Sequence, residues 1–418
     1  MKLLLKLATI IDESSKHHHQ KKDVLIENGN ITQIATSIQK PNNCKEITLN
    51  NLHISQGWFD TSVCFGEPGF EERETIKNGL ITAAKSGFTA VAVNPNTNPV
   101  TDSKASIEFL KNKAFKTATQ LYPIGSFTKN AEGKDLAELF DMQNSGAIAF
   151  GDYNKSISNA NLLKIGLLYA QNFDGLVLSF PQDNSIALNG LVNEEQNSTK
   201  FGLKGIPALA EELQIARDLY ILEYTGGKLH IPTITTKKAV KLIKEAKNKG
   251  LNVTCSVAAH HLVLNDEEMG SFDANTKVSP PLRTLKDTKA LIKGLKEGVI
   301  DIITSDHNPI DIEHKKLEYE KAKFGTIGLE SLFGAVNQVL DLDIIVKCLT
   351  TNPLKIFNIP SYSIAVGNKA NITLFNPDEE YVFNDKHIFS TSKNSVFLNK
   401  KLKGKVYGII ANNKSELI

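Results

Sequence analysis

The chain has 418 residues, 41% hydrophobic and 22% charged, with a formal net charge of +2. That length suits an α/β barrel of about 250 residues plus a smaller module, and the composition supports a large buried core. The charge balance excludes electrostatic attraction to nucleic acid or anionic membrane as a basis for function. The basic clusters Lys16 to Lys22 and Lys400 to Lys405 are short, lack interleaved aromatics and read as solvated surface. Four widely spaced cysteines, Cys44, Cys64, Cys255 and Cys348, form no C-x-x-C pair and predict free thiols in a reducing compartment, hence a cytoplasmic protein.

The opening stretch MKLLLKLATIIDESS is broken by Lys6 and runs into Asp12 and Glu13 without a small-residue cleavage site. It predicts a first β-strand rather than a signal peptide. Residues 1–53 continue as strands separated by Asn, Gly and Pro turns, with Asn28-Gly29-Asn30 a hairpin turn. His17, His18 and His19 fall between the first two strands and read as a solvated loop without a closed metal site.

From residue 54 to about 363, eight short apolar runs alternate with helical stretches: HISQGWFD, FTAVAVN, ATQLYPIG, AIAFGD, GLVLSF, GKLHIP, NVTCSV and VIDIITS. Periodicity predicts helices over Glu71–Ser86, Asp102–Asn112, Lys134–Asn144, Asn159–Gln171, Ala208–Thr225 and Thr236–Lys249. Nearly continuous apolar strands are buried on both faces, so the pattern predicts a closed parallel TIM-type (β/α)8 barrel. Residues 364–418 return to strand patterning (KANITLFNP, EYVFN, NSVFL, KLKGKVYGIIAN) and, with residues 1–53, predict a small composite β-sandwich module.

In such a barrel, functional side chains sit at the C-terminal ends of strands. There the chain carries Glu67-Pro68-Gly69, Pro95-Asn96-Thr97-Asn98-Pro99, Lys277-Val278-Ser279-Pro280-Pro281-Leu282-Arg283, Ser305-Asp306-His307-Asn308-Pro309-Ile310 and Phe324 to Glu330, FGTIGLE. These motifs resemble those of the bacterial dihydroorotases of the amidohydrolase superfamily, and the resemblance extends into the segment GNKANITLFNP after the barrel. It implies a cyclic-amide hydrolase that uses zinc to lower the pKa of bound water from about 15.7 to about 7. Zinc needs at least three protein ligands.

At the family's ligand positions the chain departs from the pattern. The resemblance places the four ligating His at Ser62, Cys64, Phe180 and Thr233, and the substrate's Arg, Asn and terminal His at Gly66, Ser279 and Ile310. An acidic pair, one member of which bridges two metals in the family, corresponds to Asp152 and Tyr153 within FGDYN. His230 matches a His that is not a ligand, and His260-His261 match a structural pair. The remnants are Asp306 at the acid/base and ligand position, Asn96 and Gly325 at substrate positions, and Asp152, Asp306 and Cys64 as metal candidates.

Loss of one outer-shell partner of a metal ligand costs about 10- to 100-fold, so loss of several direct ligands predicts no metal. The sequence thus predicts a catalytically inactive dihydroorotase-like protein of de novo pyrimidine biosynthesis. By the resemblance it would be a homo-oligomer and a structural or regulatory partner of aspartate transcarbamoylase. Two alternatives stay open. One is an active dihydroorotase or related hydrolase with a single metal held by Cys64, Asp152 and Asp306. The other is a small-ligand module near Asn96 and Gly325.

Overall fold

The computed structural model describes residues 1–418. The chain begins in a sheet built from β1 (Lys2–Ile11), β2 (Lys21–Glu27), β3 (Asn30–Ala35), β4 (Lys45–Ile47) and β5 (His53–Gln56). Asn28 and Gly29, both at positive φ, turn β2 into β3 as a two-residue hairpin. The first half of β1 pairs with β4 and its second half with β5.

At Gly57 the chain crosses from this sheet into the barrel. A Cβ there would lie 2.1 Å from Thr89 Oγ1, so no larger residue fits. The run HISQGWFD is therefore two strands, and the terminal module reaches Gln56 rather than residue 53. The barrel follows as β6 (Trp58–Val63), β7 (Phe88–Val93), β8 (Gln120–Gly125), β9 (Ala149–Phe150) and β10 (Leu176–Leu178). After a short parallel pair, β11 (Val192–Asn193) and β12 (Gly205–Ile206), it is completed by β13 (Lys228–Ile231), β14 (Val253–Ala258) and β15 (Ile302–Thr304). All eight barrel strands pair in parallel, and the ring closes where Cys64 N–H donates to the His307 carbonyl at 2.7 Å.

The helix Ala208–Thr225 has the bounds that periodicity predicts, with Pro207 at its N-cap and Gly226, at φ 70°, ending it. Others begin later than expected. The helix expected from Glu71 starts at Ile76, capped by the Thr75 hydroxyl, because residues 66–73 are spent on a turn. No helix is long and apolar enough to cross a membrane.

The terminal sheet resumes with β16 (Ile372–Val382), β17 (Lys401–Ala411) and β18 (Lys414–Leu417), giving the order β18-β17-β16-β5-β1-β2-β3 with β4 beside β1. Two expected strands merge into β16, whose register slips between Asn376 and Glu380 around Pro377, which has no N–H to offer. The expected strand at NSVFL does not form. Residues 383–400 leave the sheet and tie down the barrel's C-terminal loops. Asn394 accepts from Ile310 N–H and donates to the Asn308 and Gly325 carbonyls, while Glu330 accepts from the Phe389 and Ser390 amides.

An aromatic cluster welds module to barrel. Trp58 of β6 lies 5.0 Å from Phe333 and 5.5 Å from Phe375 of β16, with Phe88 at 5.9 Å. All four are buried in the main core. Phe375→Ala is expected to cost about 3–5 kcal/mol. Urea unfolding followed by Trp58 emission and by far-UV circular dichroism should still give one shared transition; separate transitions would mean that module and barrel fold independently.

Candidate functional site at the barrel mouth

The seam between β6 and β15 sets the site. The Asp60 carboxylate, fully buried, accepts from Ser62 N–H at 3.1 Å and Ser305 N–H at 3.0 Å, and so joins the first and last strands. Burial, opposed by these bonds, raises its pKa to about 7. Just beyond the seam Ser62, Cys64 and Asp306 converge. Asp306 Oδ1 accepts from Ser62 Oγ at 3.3 Å and from the Tyr153 hydroxyl at 3.2 Å. Asn94 Nδ2, at the end of β7, donates to Ser62 Oγ at 3.1 Å and approaches Cys64 Sγ at 3.7 Å.

Desolvation raises the pKa of Asp306 to about 6 and pushes the Cys64 thiol up to about 12, with Asp306 adding to the latter. The same causes push up the Tyr153 phenol, so it and the thiol stay protonated. The opposite wall is Phe180, Thr233 and His230. Phe180 is 5% exposed and lines the cavity beside Leu178 and Phe357. His230 has Nδ1 2.8 Å from Thr254 Oγ1 and Nε2 3.2 Å from Ser256 Oγ, and burial lowers its pKa to about 3. The space left between the walls is about 20 Å³, room for one water molecule. Three mouth residues, Tyr153, Thr233 and Asp306, hold φ near +50°, a conformation that costs non-glycine residues about 1 kcal/mol or more each.

The expected site residues do not all meet. Asp152 faces away from the mouth. Its Oδ1 accepts from Ser126 Oγ and the Phe127 and Thr128 amides, its Oδ2 from Thr128 Oγ1, all at 2.6–3.0 Å. Of the Asp152-Tyr153 pair it is Tyr153 that reaches Asp306. Thus the grouping of Cys64, Asp152 and Asp306 around one metal does not form. Asn96 does not line the cavity either, and its Oδ1 is buried without a partner. Gly325 lies in a loop whose carbonyl takes the Lys315 ammonium at 2.7 Å. Ser279 does line the cavity, whereas Ile310 lies outside it, beside a separate groove. At Gly66 a Cβ would fall 1.9 Å from the Phe70 carbonyl, so this turn excludes any side chain there. The sequence motifs did not point to Asn94 or Asp60, and placed Tyr153 only as the neighbour of Asp152, although each stands at or beside the end of a predicted strand.

Zinc takes three or four imidazole, thiolate or carboxylate donors. The mouth offers one carboxylate, a protonated thiol, a phenol and hydroxyls. Both nitrogens of His230 are engaged, and His307 Nδ1 faces the Gly328 and Leu329 amides, which leaves its Nε2 carrying the proton. This donor set does not fit zinc.

Elsewhere, the histidine loop is less free than expected. His18 and His19 both turn to Asp343 on the helix Leu342–Leu349, with His19 Nε2 3.0 Å from its carboxylate. His18 Nδ1 accepts the Asp12 amide, so its Nε2 presents a proton rather than a lone pair. The cluster is a polar clip between module and barrel.

The family models "Dihydro-orotase-like" and "Amidohydrolase family" match residues 53–239 and 187–410. Among solved structures, L-hydantoinase (dihydropyrimidinase) from Arthrobacter aurescens superposes with a TM-score of 0.85 at 19% identity, covering 99% of this chain and 95% of that one. D-Hydantoinase from Thermus sp. gives 0.80 at 20%, covering 99% and 94%. Fold and family models together define an amidohydrolase-type barrel. Dihydroorotases from Pelotomaculum thermopropionicum and Caldicellulosiruptor saccharolyticus are 38% and 39% identical over 99% of this chain and 98% and 97% of their own. The chain belongs to the dihydroorotase family.

Two outcomes follow for the mouth. Asp152→Ala removes a carboxylate with four donors on it and should cost about 2–4 kcal/mol in urea unfolding; an unchanged midpoint would refute this anchoring. Asp60 and Asp306 have folded pKa values above the ordinary carboxylate value, so the stability they contribute is full below about pH 4 and is lost as pH rises through 6 to 7. Asp306→Asn should therefore gain about 1–3 kcal/mol over wild type between pH 5 and pH 8; parallel stability profiles for the two proteins would contradict it.

Proposed function

We propose that this protein keeps the dihydroorotase fold within pyrimidine biosynthesis but performs no ring closure or hydrolysis, and acts as a structural or regulatory partner. The observation that carries the reading is the filled mouth. Where the resemblance implies imidazoles, Ser62, Phe180 and Thr233 line a space of about 20 Å³, against the roughly 300–1,000 Å³ of ordinary ligand pockets, and Cys64 is buried behind Asn94. Tyr153 and Ser62 hydrogen-bond the one carboxylate that could act as a base. Turning any side chain into the space of a substrate's Arg at residue 66 would require rebuilding the turn. The residues present supply neither zinc hydroxide nor room for a cyclic amide.

The pathway assignment is supported by relatives named dihydroorotase along nearly the whole chain. The partner follows from the resemblance alone: non-catalytic members of this family assemble with aspartate transcarbamoylase.

Wild-type protein incubated with excess zinc and desalted should retain far less than one zinc per chain and leave carbamoyl aspartate unchanged at the rate of the blank. Restoring donors through Ser62→His, Cys64→His, Tyr153→Asp, Phe180→His and Thr233→His should raise zinc retention. Stoichiometric zinc with dihydroorotate formation by wild type would refute the proposal. Co-sedimentation with aspartate transcarbamoylase tests the partnership separately.

A further inference from the structure

The end of the barrel away from the mouth holds two open chambers that share a wall. The first, about 600 Å³, lies between barrel and terminal module where β7 and β8 begin, lined from the barrel by Thr89, Gln120 and Tyr122. Its module side includes two hairpin turns, Asn28-Gly29 and Asn412-Asn413, all four residues at positive φ. The turns touch: a Cβ on Gly29 would stand 3.2 Å from Asn413 Cβ. The second chamber, about 520 Å³, runs along the turn that follows the helix Lys104–Lys113. Gln120 and Asn412 line both, so the two are continuous. Asn412 is fixed there by donating from Nδ2 to the Ala118 carbonyl at 2.9 Å.

The two linings differ in chemistry. The first presents the side-chain amides of Gln120, Asn371 and Asn413 with the rings of Tyr122 and Tyr362. Each amide carries donors and an acceptor, and each ring a flat apolar face. Burial, with Tyr362 adding to it, pushes the Tyr122 phenol up to about 12, so its hydroxyl stays a donor. The second chamber is basic. Lys111, Lys116 and Lys414 line it, and Lys369 stands in the first with its ammonium 5.4 Å from the Tyr362 ring. No carboxylate lines either chamber. The ammoniums of the second are left to neutral partners: Lys111 to the Ser145 carbonyl at 2.9 Å, Lys414 to the Lys116 carbonyl, Lys116 to the Phe115 ring. On the adjoining helix, by contrast, Lys104 pairs with Glu108 and Lys113 with Glu67. Cations gathered along one groove without a carboxylate repel one another until an anion joins them.

We propose that the joined chambers bind a nucleoside triphosphate, its base among the amides and tyrosines and its phosphates along the lysines. Side-chain amides match the donor and acceptor edges of bases, and aromatic rings stack on their faces. Lysine ammoniums hold phosphate as point charges. The ribose passes Gln120 and Asn412, the wall common to both chambers. Each chamber falls within the roughly 300–1,000 Å³ of small-molecule sites. A bare anion would use the lysines alone and a nucleoside the amides alone; a ligand carrying both parts uses the whole lining. Thr89 and Gln120 stand at the opening ends of β7 and β8, and Asn94 of the mouth follows the other end of β7, so this site is separate from the mouth and stands whether or not the mouth is active.

Isothermal titration of the full chain in metal-free buffer with ATP, GTP, CTP and UTP should show at least one of them binding once per chain, with a dissociation constant below about 1 mM. The matching nucleoside and inorganic triphosphate should each bind more weakly by ~10-fold or more. Lys116→Ala with Lys414→Ala should weaken that nucleotide by ~10-fold or more and flatten its dependence on salt. Tyr362→Ala should weaken the nucleotide and leave inorganic triphosphate unchanged. Lys241→Ala, at an exposed lysine on the helix Lys237–Asn248, should leave binding unchanged. Far-UV circular dichroism and Trp58 emission identical to wild type establish that the variants are folded. No binding of any of the four at about 1 mM, inorganic triphosphate binding as tightly as the nucleotide, or a nucleotide indifferent to the lysine pair would each overturn the proposal.

Discussion

Everything at the mouth depends on how the barrel ring is closed. The Asp60 carboxylate and the Cys64–His307 backbone bond hold β6 against β15 and so force Ser62, Cys64 and Asp306 into one small volume. A buried carboxylate spent on two amides is costly unless its bonds persist, and that cost is why Asp60 titrates near neutrality. The seam belongs to the fold and not to any chemistry. It would converge the same three side chains whether they gripped a metal or each other.

Here they grip each other. Asp306, alone among the residues around the cavity in carrying a charge, is solvated by the Ser62 and Tyr153 hydroxyls, and Asn94 extends that network to Cys64. Phe180 brings apolar surface to the other wall, worth about 1.5–3 kcal/mol when a side chain of this kind is buried. The strained backbone of Tyr153, Thr233 and Asp306 nonetheless persists. Strain of this kind gathers where side chains are aimed at a common centre. The backbone thus keeps an aim that the side chains now satisfy among themselves.

The barrel could be read from eight apolar runs because strands buried on both faces leave an unbroken signal. The join at Gly57 could not, since nothing local distinguishes a strand that ends from one that changes sheet; the Thr89 side chain that decides it is distant in sequence. NSVFL has strand composition, but its amides are taken by loops, with Val396 N–H on Thr326 Oγ1, and tertiary partners override its propensity. At the site, Ser62, Cys64, Phe180, Thr233 and Asp306 could be placed by motif. Asp152 could not be separated from Tyr153 as the inward residue, because that choice rests on the Ser126-Phe127-Thr128 loop, whose hydroxyls and amides capture the carboxylate. The same limit applied to the histidine loop, whose partner Asp343 lies more than three hundred residues away.

The central claim is that side chains have taken the space a metal pair would need. Anomalous scattering at the zinc edge, from crystals grown in excess zinc, tests it most directly. The account predicts no peak between Asp306 and Phe180, with the Tyr153 hydroxyl still on Asp306. One or two strong peaks there, with Tyr153 and Phe180 displaced, would contradict it.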